Sequence, residues 1–274
     1  MFGTNRITGA VFFKDSKDKI LVTSMFLSLQ GEGPYQGQPA LFVRLTHCNL
    51  NCSWCDTYFE QGDWFSIQEL ATTVLRMIRA KYHDLKKCGV VITGGEPSLQ
   101  PNISEFLRLC AVAGVAFTQI ESNGILPIHK LPSSTTLVVS PKCSEKTNRY
   151  LTPHEVTMSR ADCLKFVVSS DQKSPYHIIP DWAYEWQRET ANVIYVSPMN
   201  MYRPEVLEAS RKRVQERKEH NLDYRSTIDE VVSGWDDAVL DREQNRKNHE
   251  YAFRYAMDHG LFLTLQMQLF GSAA

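Results

Sequence analysis

The chain lacks long hydrophobic runs, a surplus of either charge, and a fourth cysteine beside its cysteine cluster. No apolar run approaches the ~20 residues that a membrane-spanning helix needs, so no membrane partner is expected. Met1 to Asp15 holds only the short Ala10-Val11-Phe12-Phe13 run. It lacks the roughly 7–15-residue apolar core of a secretory signal, so the cytosol is the expected compartment. Lys plus Arg is 30 and Asp plus Glu is 31, a net charge of −1. That balance argues against a protein whose main task is coating phosphate backbones. Seven cysteines in a chain of 274 residues do not suggest a disulfide framework. What is present is 43% hydrophobic residues, 11% of the chain being aromatic. That supplies a substantial core in roughly one to two domains.

Strand and helix signals alternate. Leu41–Thr46 reads as a strand, apolar and β-prone. Ser66-Ile67-Gln68-Glu69 has capping-box form, and Ile67, Leu70, Ala71, Val74, Leu75 and Ile78 follow at helical spacing, predicting a helix over 67–82. Val90–Thr93 reads as a buried strand running into Gly94-Gly95. Asn102 with Glu105 is expected to cap a second helix that Gly114 ends. Further strands are expected at Val115–Glu121, Thr136–Ser140, Cys163–Val168 and Val193–Ser197, with Pro180–Thr190 helical before the last.

About half of Arg203–Glu250 is charged, with the signs nearly balanced. Pro204 can start a helix extending through Glu205–His220, and Arg211–Lys218 includes a basic cluster. No aromatic interleaving supports nucleic-acid stacking, so a solvated helix face is the preferred reading. Asn245–His259 is expected to be helical and stopped by Gly260, with Leu261–Phe270 as a final strand. The whole predicts an α/β fold, a partial (β/α) barrel in one domain over 1–274, with a charged helical insertion at 203–250 before the last strand. In such folds ligands sit at the carboxyl ends of the strands, where the polar motifs here converge.

Cys48, Cys52 and Cys55 form a C-x3-C-x2-C run. Three thiolates on one short loop can wrap a metal centre. A 4Fe–4S cluster held by three cysteines would leave one iron open; a zinc knuckle completed by His47, or three unrelated buried cysteines, are the alternatives. Gly94-Gly95-Glu96-Pro97 after a strand offers close backbone approach and a carboxylate that can accept from an ammonium group.

The pairing of these two motifs resembles the radical S-adenosylmethionine superfamily. The resemblance implies a cofactor chelated at the open iron and cleaved to a 5′-deoxyadenosyl radical. Gln30-Gly31-Glu32-Gly33, Arg44 in its strand, Trp54-Cys55-Asp56-Thr57 and Ser140-Pro141-Lys142 narrow it to the 7-carboxy-7-deazaguanine synthase family. That family converts 6-carboxy-5,6,7,8-tetrahydropterin to 7-carboxy-7-deazaguanine with loss of ammonia, and the resemblance covers residues 25–200 plus the last strand.

The resemblance implies that Gln30, Gly31, Glu32, Arg44, Thr93 and Gln268 meet the substrate. Trp54, Asp56, Gly94, Gly95, Glu96, Glu121, Ser140, Pro141, Lys142, Ser197 and Asn200 would meet S-adenosylmethionine. Thr57 would give magnesium a hard oxygen, although a turn hydroxyl is its bland alternative. A flavodoxin-like electron donor and a homodimer are also implied. Cys88, Cys110, Cys143 and Cys163 read as core, with Cys143 notable for its closeness to Ser140-Pro141-Lys142. Three features depart from the family. Gln266-Met267-Gln268-Leu269 stands where Gln-x-His-Lys is usual, Ser197-Pro198 stands for Gln-Pro, and the charged stretch is long. A glycyl-radical activase and a zinc-stabilised nucleic-acid-binding module are the rival readings.

Overall fold

A computed structural model describes residues 7, 16, 18–55, 57, 59–144, 146–203, 205, 208, 212, 216 and 240–266. Strands β1 (Lys19–Leu29), β2 (Pro39–Leu45), β3 (Asp63–Ser66), β4 (Gly89–Gly94), β5 (Thr118–Ser122), β6 (Thr135–Val139), β9 (Cys163–Val168), β10 (Val193–Pro198) and β11 (Phe262–Leu263) share one sheet. Its order is β11-β10-β9-β6-β5-β4-β2-β1-β3. From β2 to β11 every neighbouring pair is parallel; β1 pairs antiparallel with both β2 and β3. Among the described residues the sheet ends at β3 and β11 without closing, as a partial barrel does. A small hairpin, β7 (Cys143–Ser144) with β8 (Arg149–Tyr150), leaves the end of β6. Helices α1 (Ile67–Tyr82), α2 (Ile103–Ala113), α3 (Glu155–Arg160), α4 (Asp181–Thr190) and α5 (Arg242–His259) provide the outer layer. Among the described residues no helix is long and apolar enough to cross a membrane.

Strand period decides what faces where. Leu41, Val43, Leu45, Val90, Ile92, Ile120, Leu164, Phe166, Ile194 and Val196 join the helices' Leu70, Val74, Ile78, Phe106, Ala183 and Ala252 in the main core. Each fully buried aliphatic side chain contributes roughly 1.5–3 kcal/mol. The alternate positions turn to the other face, and there Arg44, Thr93, Glu121 and Lys165 surround a cavity near the carboxyl ends of their strands.

The capping box of α1 forms as expected: Ser66 Oγ accepts from Glu69 N, and Glu69 Oε2 accepts from Ser66 N. Three expectations are corrected. Asn102 occupies the N-cap position of α2 without a side-chain cap bond; it donates to Lys19 O at 3.1 Å, and Glu105 pairs with Arg108 instead. The strand expected from Val115 starts at Thr118. Of the strand expected over 261–270, the described residues pair over Phe262–Leu263, Thr264 N still donates to Val196 O at 2.9 Å, and 267–270 lie outside the described residues. The end of the charged stretch, 242–250, is the first half of α5, the crossover between parallel β10 and β11. The basic cluster and most of the helix expected over 205–220 lie outside the described residues.

Candidate active site

The loop after β2 carries the three cysteines, and it is tied down at its base. His47 N donates to Phe59 O at 2.6 Å, closing the loop. Gly95 N donates to Leu45 O at 2.9 Å and Glu96 N to His47 O at 2.7 Å. This contact explains the glycine pair better than ligand approach does. A Cβ on Gly95 would sit 1.7 Å from His47 O, and Gly94 has φ +110°, with its added Cβ 2.3 Å from Leu45 N. Only glycine lets the two strand ends meet so closely.

Glu96 is buried and already satisfied on most sides. Its Oε1 accepts from Ser98 N, Ser98 Oγ and Ser122 Oγ at 2.9, 2.6 and 2.6 Å, and its Oε2 from Asn123 N at 2.7 Å. The carboxylate therefore first clamps the β4 turn to the β5 turn. One acceptor position remains on Oε2 for an ammonium group. Asn123 Nδ2 also reaches Asn49 Oδ1 in the cysteine loop at 2.7 Å.

Opposite lies a buried charged cluster. Lys165 Nζ is 2.5 Å from Glu32 Oε2. Glu121 Oε1 accepts from Gln30 Nε2 at 2.9 Å and Gln119 Nε2 at 3.0 Å. Gln30 Oε1 in turn accepts from Glu32 N at 3.1 Å. Burial would raise Glu32, but Lys165 beside it holds the carboxyl below the usual carboxylate range. Burial, followed by the charge of Glu32, pushes Glu121 up to about 8. Two like carboxyls thus take different states at pH 7, Glu32 ionised and Glu121 protonated. Thr264 Oγ1 donates to Gly31 O and ties the Gln30–Glu32 turn to the segment after β11.

One cavity is lined by Cys48, Cys52, Cys55, Trp54, Thr57, Gly94, Gly95, Glu96, Ser140 and Lys142 together with Gln30, Glu32, Arg44, Thr93 and Glu121. Arg44 lies over the Phe26 ring at 4.7 Å, and Lys142 Nζ is 2.6 Å from both Ser140 O and Ser140 Oγ. Ser197 and Asn200 line an adjoining small cavity that shares Trp54 and Gln266 with the first. Gly31 and Pro141 sit beside lining residues without lining it themselves. Asp56 and Gln268 lie outside the described residues. Cys88, Cys110 and Cys163 are buried, and Cys143 packs with Tyr176.

Lys165 and Gln266 escaped the sequence reading. Lys165 carried a usable signal, a single charge inside apolar Cys163–Val168, the same signal that singled out Arg44. Gln266 carried none beyond its place in the altered C-terminal motif.

Residues 43–133 match the Radical SAM superfamily. The chain is 37% identical over 180 residues to the 7-carboxy-7-deazaguanine synthase of Rhodospirillum rubrum, covering 66% of this chain and 71% of that one. It is 32% identical over 187 residues to that of Clostridium acetobutylicum, covering 65% and 80%. The chain belongs to the 7-carboxy-7-deazaguanine synthase family. The fold agrees: the crystal structure of QueE from Escherichia coli superposes with a TM-score of 0.56 at 20% identity, covering 96% of this chain and 100% of that one.

Membership in this radical S-adenosylmethionine family implies a 4Fe–4S cluster and S-adenosylmethionine, and the residues fit both. The donors are three soft thiols lining one cavity, with no disulfide among the described cysteines. Among the described residues no three His, Cys, Asp or Glu side chains converge to hold one ion.

Proposed function

We propose that this chain is a lyase converting 6-carboxy-5,6,7,8-tetrahydropterin to 7-carboxy-7-deazaguanine with loss of ammonia. The observation that carries the reading is one cavity lined both by three thiols with the Gly94-Gly95-Glu96 turn and by Arg44 with the Glu32–Glu121 pair. Cys48, Cys52 and Cys55 would hold the cluster. Trp54, Asp56, Gly94, Gly95, Glu96, Ser140, Pro141, Lys142, Ser197 and Asn200 would hold S-adenosylmethionine, while Glu121, first expected with them, sits beside Gln30 and Glu32 and is assigned to the substrate side instead. When bound, the two groups supply the one-electron chemistry that abstracts hydrogen at C6 of the pterin.

The remaining residues bind and orient the substrate. The Arg44 guanidinium is a fork suited to the substrate carboxylate. Glu32, ionised through Lys165, accepts from N–H groups of the pterin, while Glu121, protonated, can donate to a ring acceptor. Gln30 and Thr93 complete that wall; Gly31, beside it, and Gln268 are further proposed substrate contacts. Burial of Gln30 and Glu32 suits a small molecule better than the protein partner of a glycyl-radical activase. Thr57, buried on the cavity wall, would give magnesium its hydroxyl, with substrate and water filling the octahedron. A flavodoxin-like donor, a homodimer and a cytoplasmic setting complete the proposal.

The test is anaerobic turnover of the carboxy-tetrahydropterin with reduced flavodoxin, with the deazaguanine product as the expected result. Cofactor cleavage without that product refutes the substrate. A colourless protein carrying one zinc and no sulfide refutes the radical mechanism.

A further inference from the structure

Helix α5 has a polar inner face. Asn245 and Asn248 are buried, yet neither packs as an apolar residue would. Asn245 Oδ1 accepts from Met201 N at 2.6 Å and its Nδ2 donates to Met201 O at 2.9 Å. Asn248 Nδ2 donates to Met199 O at 2.7 Å, and its Oδ1 accepts from Ser170 N and Ser170 Oγ at 2.9 and 2.8 Å. Together they hold the backbone on both sides of Asn200, in the loop after β10. One turn on, His249 reaches the Asn200 side chain itself: His249 Nε2 lies 3.2 Å from Asn200 Oδ1. Asn200 Nδ2 then donates to Gln266 Oε1 at 2.6 Å. Gln266 lines both the main cavity and the small one formed with Trp54, Ser197 and Asn200.

This chain of side chains has a direction. With Asn200 Oδ1 turned to it, His249 donates from Nε2, as the Nε2–H tautomer or as the cation. With its oxygen engaged by His249, Asn200 must turn its amide hydrogens to Gln266. With Oε1 turned to Asn200, the Gln266 amide presents its Nε2 hydrogens on the other side. An amide is nearly symmetric in shape, so packing alone would not choose between its two orientations; the hydrogen-bond network does.

We propose that His249 is a positioning residue for the cofactor: acting through Asn200, it orients the Gln266 amide to donate to an acceptor atom of bound S-adenosylmethionine. The inference rests on the cofactor reading above and gives the end of the charged stretch a task, since α5 is where that stretch terminates.

The test uses cluster-loaded protein under anaerobic conditions and titrates S-adenosylhomocysteine by calorimetry, with no turnover required. His249→Phe keeps a ring and loses the donor; binding should weaken roughly three- to tenfold. His249→Gln restores an N–H at similar reach and should recover most of the loss. His249→Glu, which accepts when ionised and so reverses the chain, should bind no better than the Phe variant. Gln266→Met, which cannot donate, should show a similar loss and keeps the question answerable if the helix variants fold poorly. Unchanged binding in His249→Phe, or no difference between the Phe and Gln variants, overturns the positioning role. Wild-type protein that binds no S-adenosylhomocysteine overturns the cofactor reading and the proposal with it.

Discussion

Glu121→Gln should stabilise the cluster-free protein, by an amount that depends on pH. Glu121 opens onto the cavity, but it is enclosed by protein and faces Glu32; its carboxyl is pushed from an ordinary 4.5 up to about 8. Because the folded pKa is the higher one, its contribution to stability is fully present below pH 4.5 and is lost as pH rises towards 8. Each pH unit across that window costs about 1.4 kcal/mol, so at pH 7 the loss reaches up to about 3 kcal/mol. Glutamine removes the titration and keeps an oxygen for Gln30 Nε2 and Gln119 Nε2, which now reach Glu121 Oε1 at 2.9 and 3.0 Å. Urea unfolding between pH 5 and 9 measures the effect. The two proteins should be nearly equal at pH 5. Their gap should widen in favour of the variant to about pH 8 and then level off. Parallel stability curves, or a gap that widens on acidification, would refute the assignment of the proton to Glu121.

Lys165→Met should destabilise the protein by about 3–5 kcal/mol at pH 8, because it leaves Glu32 buried without its cation. The loss should shrink towards pH 5, where Glu32 can take a proton; a pH-independent loss would argue for simple repacking. Gly95→Ala forces a Cβ to within 1.7 Å of His47 O, so a destabilisation of about 3 kcal/mol or more and a fall in iron content are expected. Normal iron loading would show that the loop base can move aside. Thr57→Ala should raise the half-saturating magnesium concentration about tenfold or more while sparing S-adenosylmethionine cleavage. An unchanged magnesium response makes Thr57 a turn residue.

What could be read in advance divides by sequence distance. The capping box of α1 and the apolar runs of β2, β4 and β9 are local signals, and the structure places those elements within a residue or two of where they were expected. β1 was not foreseen: Ser, Thr and Lys interrupt its apolar residues, and it shifts register between Val22 and Ser24, so no clean alternation survives. The lone charge of Lys165 is visible within its strand, but its partner Glu32 lies 133 residues away. The role of Asn245, Asn248 and His249 on α5 had no local signal, because their partners lie 44 to 49 residues earlier in an unrelated loop.

These long-range features share a cause. Near the cavity the chain tolerates things that a core selected for stability alone would avoid. His47 sits at φ 66°, Gly95 packs against backbone, and two carboxyls share one lysine. Each is unfavourable where it stands and is sustained by surrounding contacts, the usual condition of a site shaped for chemistry. A motif search finds the groups that touch a ligand. The residues that make those groups tolerable, such as Lys165 for Glu32 and His249 for Asn200, become visible only when distant strands and helices are brought together.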